Sequence, residues 1–430
     1  MKIVFLLHNA YAIGGTVRTT LNLAAAFAER HEVEIVSMMR HREDPRFGVD
    51  ARVGLVPLVD TRVGSQDSRY GAFAEPARDF PEEDKRHRQY NRLIDIRVRE
   101  YLERCDADVV IGTRPGVNVY LALFGPRRAL RVAQEHLRHD AHSKQLRAVL
   151  ARHYRTLDAV VTMTGADAEV YRARMPLPGV PVQSVPNIVP APRDCPPSDG
   201  SAPVIAAAGR LVRGKRFDLL IEAFSAVAAK QPDWRLRIYG GGEDRDRLQS
   251  LIDGLGLDAH ATLMGAHSPI EPQFAQASLV VSASDAESFG MTLVEAMRCG
   301  VPVISTDCPL GPAEIIRDGV DGRLVPVGDA QALAEAMLEL IDDGGNRRAM
   351  GAAALESARR YDPDPIVGRY ELLFDELRST RLRRSWLRTS HRYSASLRRR
   401  RRALLRAARA LRRPRPETPT TARRSTTRRA

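Results

Sequence analysis

This chain of 430 residues has neither a long apolar run nor paired cysteines. No stretch approaches the roughly 20 apolar residues of a membrane span, and the apolar run at residues 3–7 is too short for the core of a signal peptide. The four cysteines form no Cys-x-x-Cys pair and have no histidine at metal-ligand spacing, which argues against a zinc site and a disulfide framework. We therefore expect a cytoplasmic protein with reduced thiols.

The basic charge of the chain is concentrated at its carboxyl end. The net charge is +13, but residues 381–430 contain 19 arginines and one glutamate, which is a net charge of +18. Residues 1–380 therefore carry a net charge of −5. Because 43% of all residues are hydrophobic, this mildly acidic part has enough apolar side chains to form substantial cores.

Two cations follow a predicted buried strand. The apolar run at residues 202–209 predicts that strand, and residues 218–230 have the periodicity of a helix. Arg210 and Lys215 therefore lie on the loop that leaves the carboxyl end of the strand, where open α/β sheets bind ligands. A unit charge about 4 Å from a phosphate oxygen interacts by roughly 4 kcal/mol at an effective dielectric constant near 20, so this loop suits a diphosphate.

The next strand-loop-helix unit carries two carboxylates. Residues 279–282 predict a strand, and the helix that follows begins after Gly290, so the free N–H groups near Gly290 and Thr292 suit phosphate oxygens. Glu287 precedes this helix and Glu295 lies inside it. Carboxylates suit the neutral hydroxyl groups of a sugar and a ribose. Each charge taken singly fits a solvated surface, but the ordered set predicts a sugar-nucleotide site.

At this point the sequence resembles the retaining glycosyltransferases of family 4, which have the two-domain GT-B architecture. The resemblance is strongest from residue 206 to residue 327, which includes the glycine-rich segment 237–243 and the Glu-x7-Glu segment 287–295. It implies that Glu287 contacts the transferred sugar and Glu295 the ribose. The donor-binding residues that it implies are Gly14, Gly15, Arg210, Lys215, Phe289, Gly290, Met291, Thr292 and Glu295.

The resemblance implies an α/β fold with two Rossmann-like domains that face each other across a cleft. We expect the acceptor domain at residues 1–185, a proline-rich linker at 186–201 and the donor domain at 202–360. A crossover helix region is expected at residues 361–380. An Arg-rich tail, partly amphipathic and partly disordered, is expected at residues 381–430.

Fewer motifs mark the amino-terminal half. Gly14 and Gly15 lie between the predicted first strand and first helix, where glycines let backbone amides approach a phosphate or sugar. His136 follows the segment 132–135, which resembles the strand end that carries the family's active-site histidine. The resemblance therefore implies that His136 contacts the transferred sugar and that the catalytic residues are His136 and Glu287. His139 and His142 are alternative candidates for the same role.

A charged helix is expected over residues 82–104, after an extended loop at residues 61–80. The basic residues of this helix are interpreted as a solvent-exposed face. The alternative is that they recognise an acceptor phosphate or a lipid head group. These residues are Lys85, Arg86, Arg88 and Arg92.

The basic tail has an apolar stripe at helical spacing, with arginines over much of the remaining surface. This pattern is typical of a helix on an anionic membrane surface, where each basic residue contributes on the order of 1 kcal/mol. We expect no nucleic-acid partner because the tail has no recognisable recognition fold and few aromatic residues. A disordered tail without a partner is the remaining alternative. The stripe consists of Leu382, Trp386, Tyr393, Leu397, Leu404, Ala408 and Leu411.

The sequence thus predicts a retaining, metal-independent glycosyltransferase without a cofactor, peripherally associated with the inner face of the plasma membrane. The expected donor is a nucleotide sugar in which UDP carries a hexose-type sugar. The expected acceptor is a cell-envelope glycan or a polyol-phosphate or lipid-linked saccharide. A small-molecule acceptor is an alternative. An NAD-dependent oxidoreductase would need a Gly-x-Gly-x-x-Gly fingerprint that residues 13–16 do not supply. A non-enzymatic protein that binds membranes or nucleic acid is the other alternative.

Overall fold

The computed structural model describes residues 1–193 and 195–387. Their strands form two parallel sheets. The first sheet has the strands β1 (Lys2–Leu7), β2 (Glu32–Ser37), β3 (Val53–Pro57), β4 (Val109–Gly112), β5 (Leu130–Glu135), β6 (Ala159–Thr162) and β7 (Val182–Ser184). Its helices are α1 (Gly15–Phe27), α2 (Gly71–Ala74), α3 (Arg92–Arg104), α4 (Pro115–Phe124), α5 (Lys144–His153) and α6 (Gly165–Arg174).

The second sheet has the strands β8 (Val204–Ala208), β9 (Arg235–Tyr239), β10 (Ala261–Gly265), β11 (Leu279–Ser282), β12 (Val303–Thr306) and β13 (Gly322–Val325). The accompanying helices are α7 (Phe217–Lys230), α8 (Arg245–Gly254), α9 (Glu271–Phe274), α10 (Met291–Arg298), α11 (Pro312–Ile315), α12 (Ala330–Asp342), α13 (Gly344–Ala358) and α14 (Pro363–Ser379).

Both sheets are buried on their two faces, as strand β1 illustrates. Ile3, Phe5 and Leu7 point into one hydrophobic core. Val4 and Leu6 point into another on the opposite face. A strand that is buried on both faces therefore needs a continuous apolar run. A strand with one face at the surface needs an apolar residue only at every second position. This arrangement confirms the predicted α/β fold with two Rossmann-like domains.

Each sheet has a switch point, where the order of its strands reverses. The first sheet has the order β3-β2-β1-β4-β5-β6-β7, so its chain runs outward from β1 and then returns to β4. The second has the order β10-β9-β8-β11-β12-β13 and reverses between β8 and β11. Ligands of such sheets bind outside the carboxyl ends of the strands at this point.

Contacts of helices α14 and α11 are among those that join the two domains. Helix α14 returns to the first domain, where Phe27 packs against Tyr370 and Phe374 at ring-centroid distances of 5.8 and 6.1 Å. The carboxylate of Glu314, in α11, accepts hydrogen bonds of 2.9 and 2.8 Å from the first two N–H groups of α6. A carboxylate is favourable at a helix amino terminus, so Glu314 stabilises this contact between the domains.

The helix expected over residues 82–104 is wrong in its first half. Helix α3 begins only at Arg92, because Asn91 caps it and accepts a hydrogen bond of 3.0 Å from the N–H of Ile94. Residues 82–91 form a loop instead. Asp84 stabilises this loop by accepting the N–H of Arg86 at 2.9 Å. Arg86 consequently points to the cleft instead of lining a helix face.

Only the first seven residues of the expected tail lie within the described part of the chain. Residues 381–387 are helical, and Leu382 and Trp386 are exposed. Arg384 is buried and donates to Asp158 Oδ1 at 3.0 Å. The rest of the predicted apolar stripe lies outside the described residues. Across residues 1–193 and 195–387, no helix combines the length and the apolar character that a bilayer crossing requires.

Candidate functional site

Lys215 and Glu287 meet at the switch point of the second sheet. Lys215 Nζ lies 2.5 Å from Glu287 Oε1. The same oxygen accepts a hydrogen bond of 2.7 Å from Ser284 Oγ. Arg210 follows β8 on the same edge, is exposed, and has no ion pair among the described residues. The structure therefore brings Lys215 and Glu287 together from different strand-loop-helix units and places Arg210 on the same edge of the sheet.

The amino terminus of α10 lies beside this pair. Gly290 precedes the helix with a φ of 109°, in the left-handed region that favours glycine. The N–H groups of Met291 and Thr292 lie in the first turn, where a helix provides no acceptor for them. Phe289 is buried, and its ring packs edge-on against Tyr361 at 5.5 Å. Any donor contact from Phe289 would therefore involve its backbone.

Glu295 lies deep in the cleft and is paired across it. Arg18 Nη1, from α1 of the first domain, lies 3.3 Å from Glu295 Oε1. Arg18 also pairs with Glu271 through its other terminal nitrogen. Burial raises the pKa of Glu295 to about 7, although Arg18 acts in the opposite direction. The carboxylate expected at the ribose is thus already engaged by the other domain.

Gly14 and Gly15 lie at the start of α1, on the same side of the cleft as Arg18. A Cβ atom added at either glycine would meet no atom within 4 Å. Gly14 has a φ of 162°, which is extended backbone open to any residue. The fold itself therefore does not demand glycine at these two positions, and the space in front of the loop is available to a ligand.

His136 follows β5 at the carboxyl edge of the first sheet. Its Nε2 is shielded from solvent and has no hydrogen-bond partner among the described residues. Burial, followed by the charge of Arg114, lowers the pKa of His136 to about 4. The imidazole is consequently neutral near pH 7, and its Nε2 is a buried polar atom without a partner among the described residues.

The alternative histidines belong to a buried polar network behind His136. His142 Nε2 lies 3.3 Å from Glu135 Oε2. Tyr154 donates its hydroxyl to the same carboxylate. His139 packs edge-on against Tyr171 at 5.0 Å. His142 Nε2, like His136 Nε2, has no hydrogen bond among the described residues, but it lies beside the Glu135 carboxylate, whereas His136 has no such neighbour.

Sequence reasoning missed two arginines of the first domain, Arg18 beside Glu295 and Arg114 near His136. Arg18 lies in the first turn of α1, three positions after Gly15, and this proximity was its available signal. Arg114 lies two positions after the end of β4, just as Arg210 lies two positions after the end of β8. Applying the strand-end argument to both domains would have identified Arg114.

Two family models match the chain, and they divide it at the linker. A model described as Glycosyltransferase Family 4 matches residues 13–193. A model described as Glycosyl transferases group 1 matches residues 193–357. The junction between the two matched segments falls in the linker that separates β7 from β8.

Among curated proteins, an exopolysaccharide phosphotransferase of Streptomyces coelicolor is 35% identical over 398 residues, or 89% of this chain and 41% of that protein. A poly(ribitol-phosphate) alpha-N-acetylglucosaminyltransferase of Staphylococcus aureus is 28% identical over 173 residues, or 40% of this chain and 35% of that protein. This chain thus spans less than half the length of either relative.

The solved structure of S. aureus TarM in complex with fondaparinux, alpha-GlcNAc-glycerol and UDP has a similar fold. It aligns with a TM-score of 0.70 over 87% of this chain and 99% of that chain, at 16% sequence identity. Such a low identity shows the fold alone, which is the predicted GT-B architecture. The two family models together match residues 13–357, the first domain to Glycosyltransferase Family 4 and the second to Glycosyl transferases group 1.

Proposed function

We propose that the protein is a retaining, metal-independent glycosyltransferase that moves a hexose-type sugar from a UDP-sugar to a cell-envelope acceptor. The observation that carries this proposal is the Lys215–Glu287 ion pair at the switch point of the second sheet. A cation for the diphosphate and a carboxylate for sugar hydroxyls are placed side by side, as a sugar nucleotide requires.

The leaving diphosphate would be stabilised by fixed positive charges. Arg210 is exposed and unpaired among the described residues, and Lys215 can exchange Glu287 for a phosphate oxygen. The start of α10 at Gly290 adds N–H groups that are oriented before the ligand arrives. Such preorganised groups stabilise developing charge with little reorganisation during the reaction.

The sugar itself would lie between the domains. Glu287 accepts hydrogen bonds from its hydroxyl groups once Lys215 turns to the diphosphate, and neutral His136 contacts it from the first domain. Glu295 accepts from the ribose at the buried end of the cleft. The donor thereby spans contacts on both domains, which favours a closed cleft around it.

In the proposed step, the bond between the sugar C1 and the diphosphate oxygen breaks as the acceptor oxygen bonds to C1 on the same face of the ring. The acceptor's proton passes to the departing diphosphate oxygen, so no side chain has to act as the base. The configuration at C1 is retained. The protein's role is to orient both substrates and to disperse the charge of the leaving group.

The cations also suggest how the reaction proceeds without a divalent metal. Among residues 1–193 and 195–387, no three His, Cys, Asp or Glu side chains converge in a way that could hold a metal ion. Arg210 and Lys215 provide the positive charge that a metal would otherwise bring to the diphosphate. Unchanged transfer in excess chelator is the expected result, and loss that added Mg²⁺ or Mn²⁺ restores would contradict it.

The choice of donor and acceptor is supported by the comparisons. UDP is present in the TarM complex. The names of the Streptomyces and Staphylococcus relatives refer to an exopolysaccharide and to poly(ribitol-phosphate), which are polymers. An envelope glycan, polyol phosphate or lipid-linked saccharide is therefore the proposed acceptor class.

The proposal is tested by measuring the thermal stabilisation of the purified protein by UDP, GDP, ADP, dTDP, their sugar conjugates and NAD. We expect stabilisation by UDP and its conjugates, together with slow release of UDP from one UDP-sugar. Anomeric configuration in the transferred product, measured by NMR, tests retention. Stabilisation by NAD alone, or inversion at C1, would contradict the corresponding part of the proposal.

A further inference from the structure

A group of basic side chains in the first domain is not assigned to the donor site. Arg114 lies just after β4, and His8 lies just after β1. These two strands flank the switch point of the first sheet. Arg86, in the loop of residues 82–91, contacts the imidazole of His8. The first domain therefore has its own crevice at the position where the second domain has Arg210 and Glu287.

Arg86 is held by a neutral imidazole. Its Nη1 lies 3.2 Å from His8 Nε2, and His8 Nδ1 lies 2.7 Å from the hydroxyl of Tyr90. Because a guanidinium only donates, Nε2 is the acceptor and the ring proton is on Nδ1. Burial, then the charges of Arg86 and Arg114, lowers the pKa of His8 to about 3. His8 thus orients the Arg86 guanidinium and, being neutral, does not change the net charge of the group.

Arg114 lies at the centre of this group. Its side chain has no hydrogen bond or ion pair among the described residues, and its Nε is shielded from solvent. After burial, its charge is among the causes that lower the pKa of His8, Arg86 and His136. A half-buried guanidinium without a partner is costly unless a ligand supplies one.

The carboxylate that faces this group offsets only part of its charge. Asp84 Oδ1 accepts the N–H of Arg86 at 2.9 Å, and Oδ2 accepts the N–H of Gly116, in the first turn of α4, at 3.2 Å. Both oxygens are thus engaged by backbone donors. Arg210 faces Arg86 closely enough to lower its pKa, after the larger effects of burial and Arg114. The crevice consequently has an excess of positive charge.

We propose that Arg114 and Arg86 form a subsite for a phosphate ester group of the acceptor. This inference rests on the proposed function, because it assigns the acceptor side of the same cleft. Two guanidinium groups approach the crevice from different elements, and a tetrahedral phosphate has enough oxygens for both, whereas a carboxylate has two oxygens in one plane. The subsite adjoins His136, so it would place the acceptor next to the transferred sugar.

The kinetic test compares matched probes in the UDP-release assay with the full-length protein. The pairs are sn-glycerol 3-phosphate with glycerol and ribitol 5-phosphate with ribitol, and glycerate serves as the carboxylate probe. We expect a phosphorylated probe to stimulate UDP release with a KM at least about 10-fold lower than that of its neutral partner. Equal stimulation by neutral probes or by glycerate would overturn the assignment to phosphate.

The variant Arg114→Gln should raise the KM for the phosphorylated probe about 10- to 150-fold, with little change in the KM for the UDP-sugar. Arg86→Gln should act in the same direction, and Arg114→Lys should lie between because it keeps the charge without the guanidinium fork. Arg155→Gln is the control, since Arg155 is exposed and precedes β6 at the opposite edge of the sheet. A rise in the donor KM alone would assign Arg114 to the diphosphate and overturn the proposal.

Direct binding separates this subsite from the proposed activity. Calorimetry with sn-glycerol 3-phosphate in the presence of saturating UDP should show binding to the wild type and to Arg155→Gln, and none to Arg114→Gln. UDP binding by all three proteins shows that they are folded. Binding of UDP without binding of the phosphorylated probe would overturn the subsite and leave the donor site intact. Binding of the phosphorylated probe without UDP-sugar turnover would support the subsite and contradict the proposed function.

Discussion

Arg18 of the first domain and Glu295 of the second meet inside the cleft, with Arg18 Nη1 3.3 Å from Glu295 Oε1. Glu271 pairs with the same guanidinium, so one cation serves two carboxylates. Arg18 belongs to the helix that starts at Gly15, and Glu295 to the helix that starts after Gly290. One ion pair therefore links the two helices whose amino-terminal ends face the proposed donor. A ribose that binds Glu295 would also act on Arg18, which belongs to the first domain.

Glu295 should make the stability of the protein depend on pH. Burial raises its pKa from 4.5 to about 7, so the folded state holds an extra proton between these values and stability falls as the pH rises through this range. The rise corresponds to roughly 3 kcal/mol at most. We expect Glu295→Gln to be more stable than the wild type at pH 8 and similar to it at pH 5, as measured by urea unfolding. Glu222→Gln, an exposed change on α7, is the control.

Replacing Arg18 should lower the stability of the protein, and by more at high pH than at low pH. Arg18→Met leaves Glu295 and Glu271 without their cation, so we expect a loss of about 1–3 kcal/mol at pH 8 and a smaller loss at pH 5. This is less than the value for a fully buried pair because the guanidinium is partly exposed. Adding Glu295→Gln should recover part of the loss in a double-mutant cycle. Equal losses at both pH values would show that the pairing has no such role.

Lys215 and Glu287 should each matter for transfer. Lys215→Ala and Glu287→Ala remove charge-assisted hydrogen bonds worth roughly 1.5–3 kcal/mol, so kcat/KM for the UDP-sugar should fall about 10- to 150-fold. Arg213→Ala is the matched control, because Arg213 is exposed in the same short turn as Lys215. If both single variants keep nearly full activity while folded, the site assignment is wrong.

The basic tail should be dispensable for donor chemistry. A chain that ends at residue 387 loses 16 of the 19 tail arginines and keeps Arg384, which is buried against Asp158. We expect it to retain UDP-sugar hydrolysis and to bind vesicles of phosphatidylglycerol less than the full chain does, because each basic residue near an anionic surface contributes about 1 kcal/mol. Phosphatidylcholine vesicles are the control. Undiminished sedimentation with phosphatidylglycerol would contradict the membrane role of the tail.

The donor side of the site could be predicted because its signals are local. Each unit has an apolar run, a glycine-containing loop and an amphipathic helix in order along the chain, and parallel strands place their loops on one edge of the sheet. Lys215 and Glu287 are 72 positions apart, yet this rule alone places them on the same edge. The roles of these residues in binding remain predictions.

The contacts between the domains and the position of Arg86 could not be predicted because they depend on residues far apart in the chain. Arg18 and Glu295 belong to different domains, and their meeting depends on the orientation of those domains. The charges of residues 82–91 are compatible with a helix, but this local preference is weak. The cap at Asn91 and the turn at Asp84 stabilise a loop instead. Arg86 consequently faces His8, 78 positions earlier in the chain.

Helix α14 makes the first domain discontinuous in sequence, and this has a consequence for synthesis on the ribosome. The strands of the first sheet are complete at Ser184, but Phe27 and Gln134 receive their partners Tyr370 and Phe374 only after nearly two hundred more residues have been made. The nascent first domain therefore exposes an apolar surface while the second domain is translated and folds. Final closure of its core is coupled to synthesis of the second domain and of helix α14.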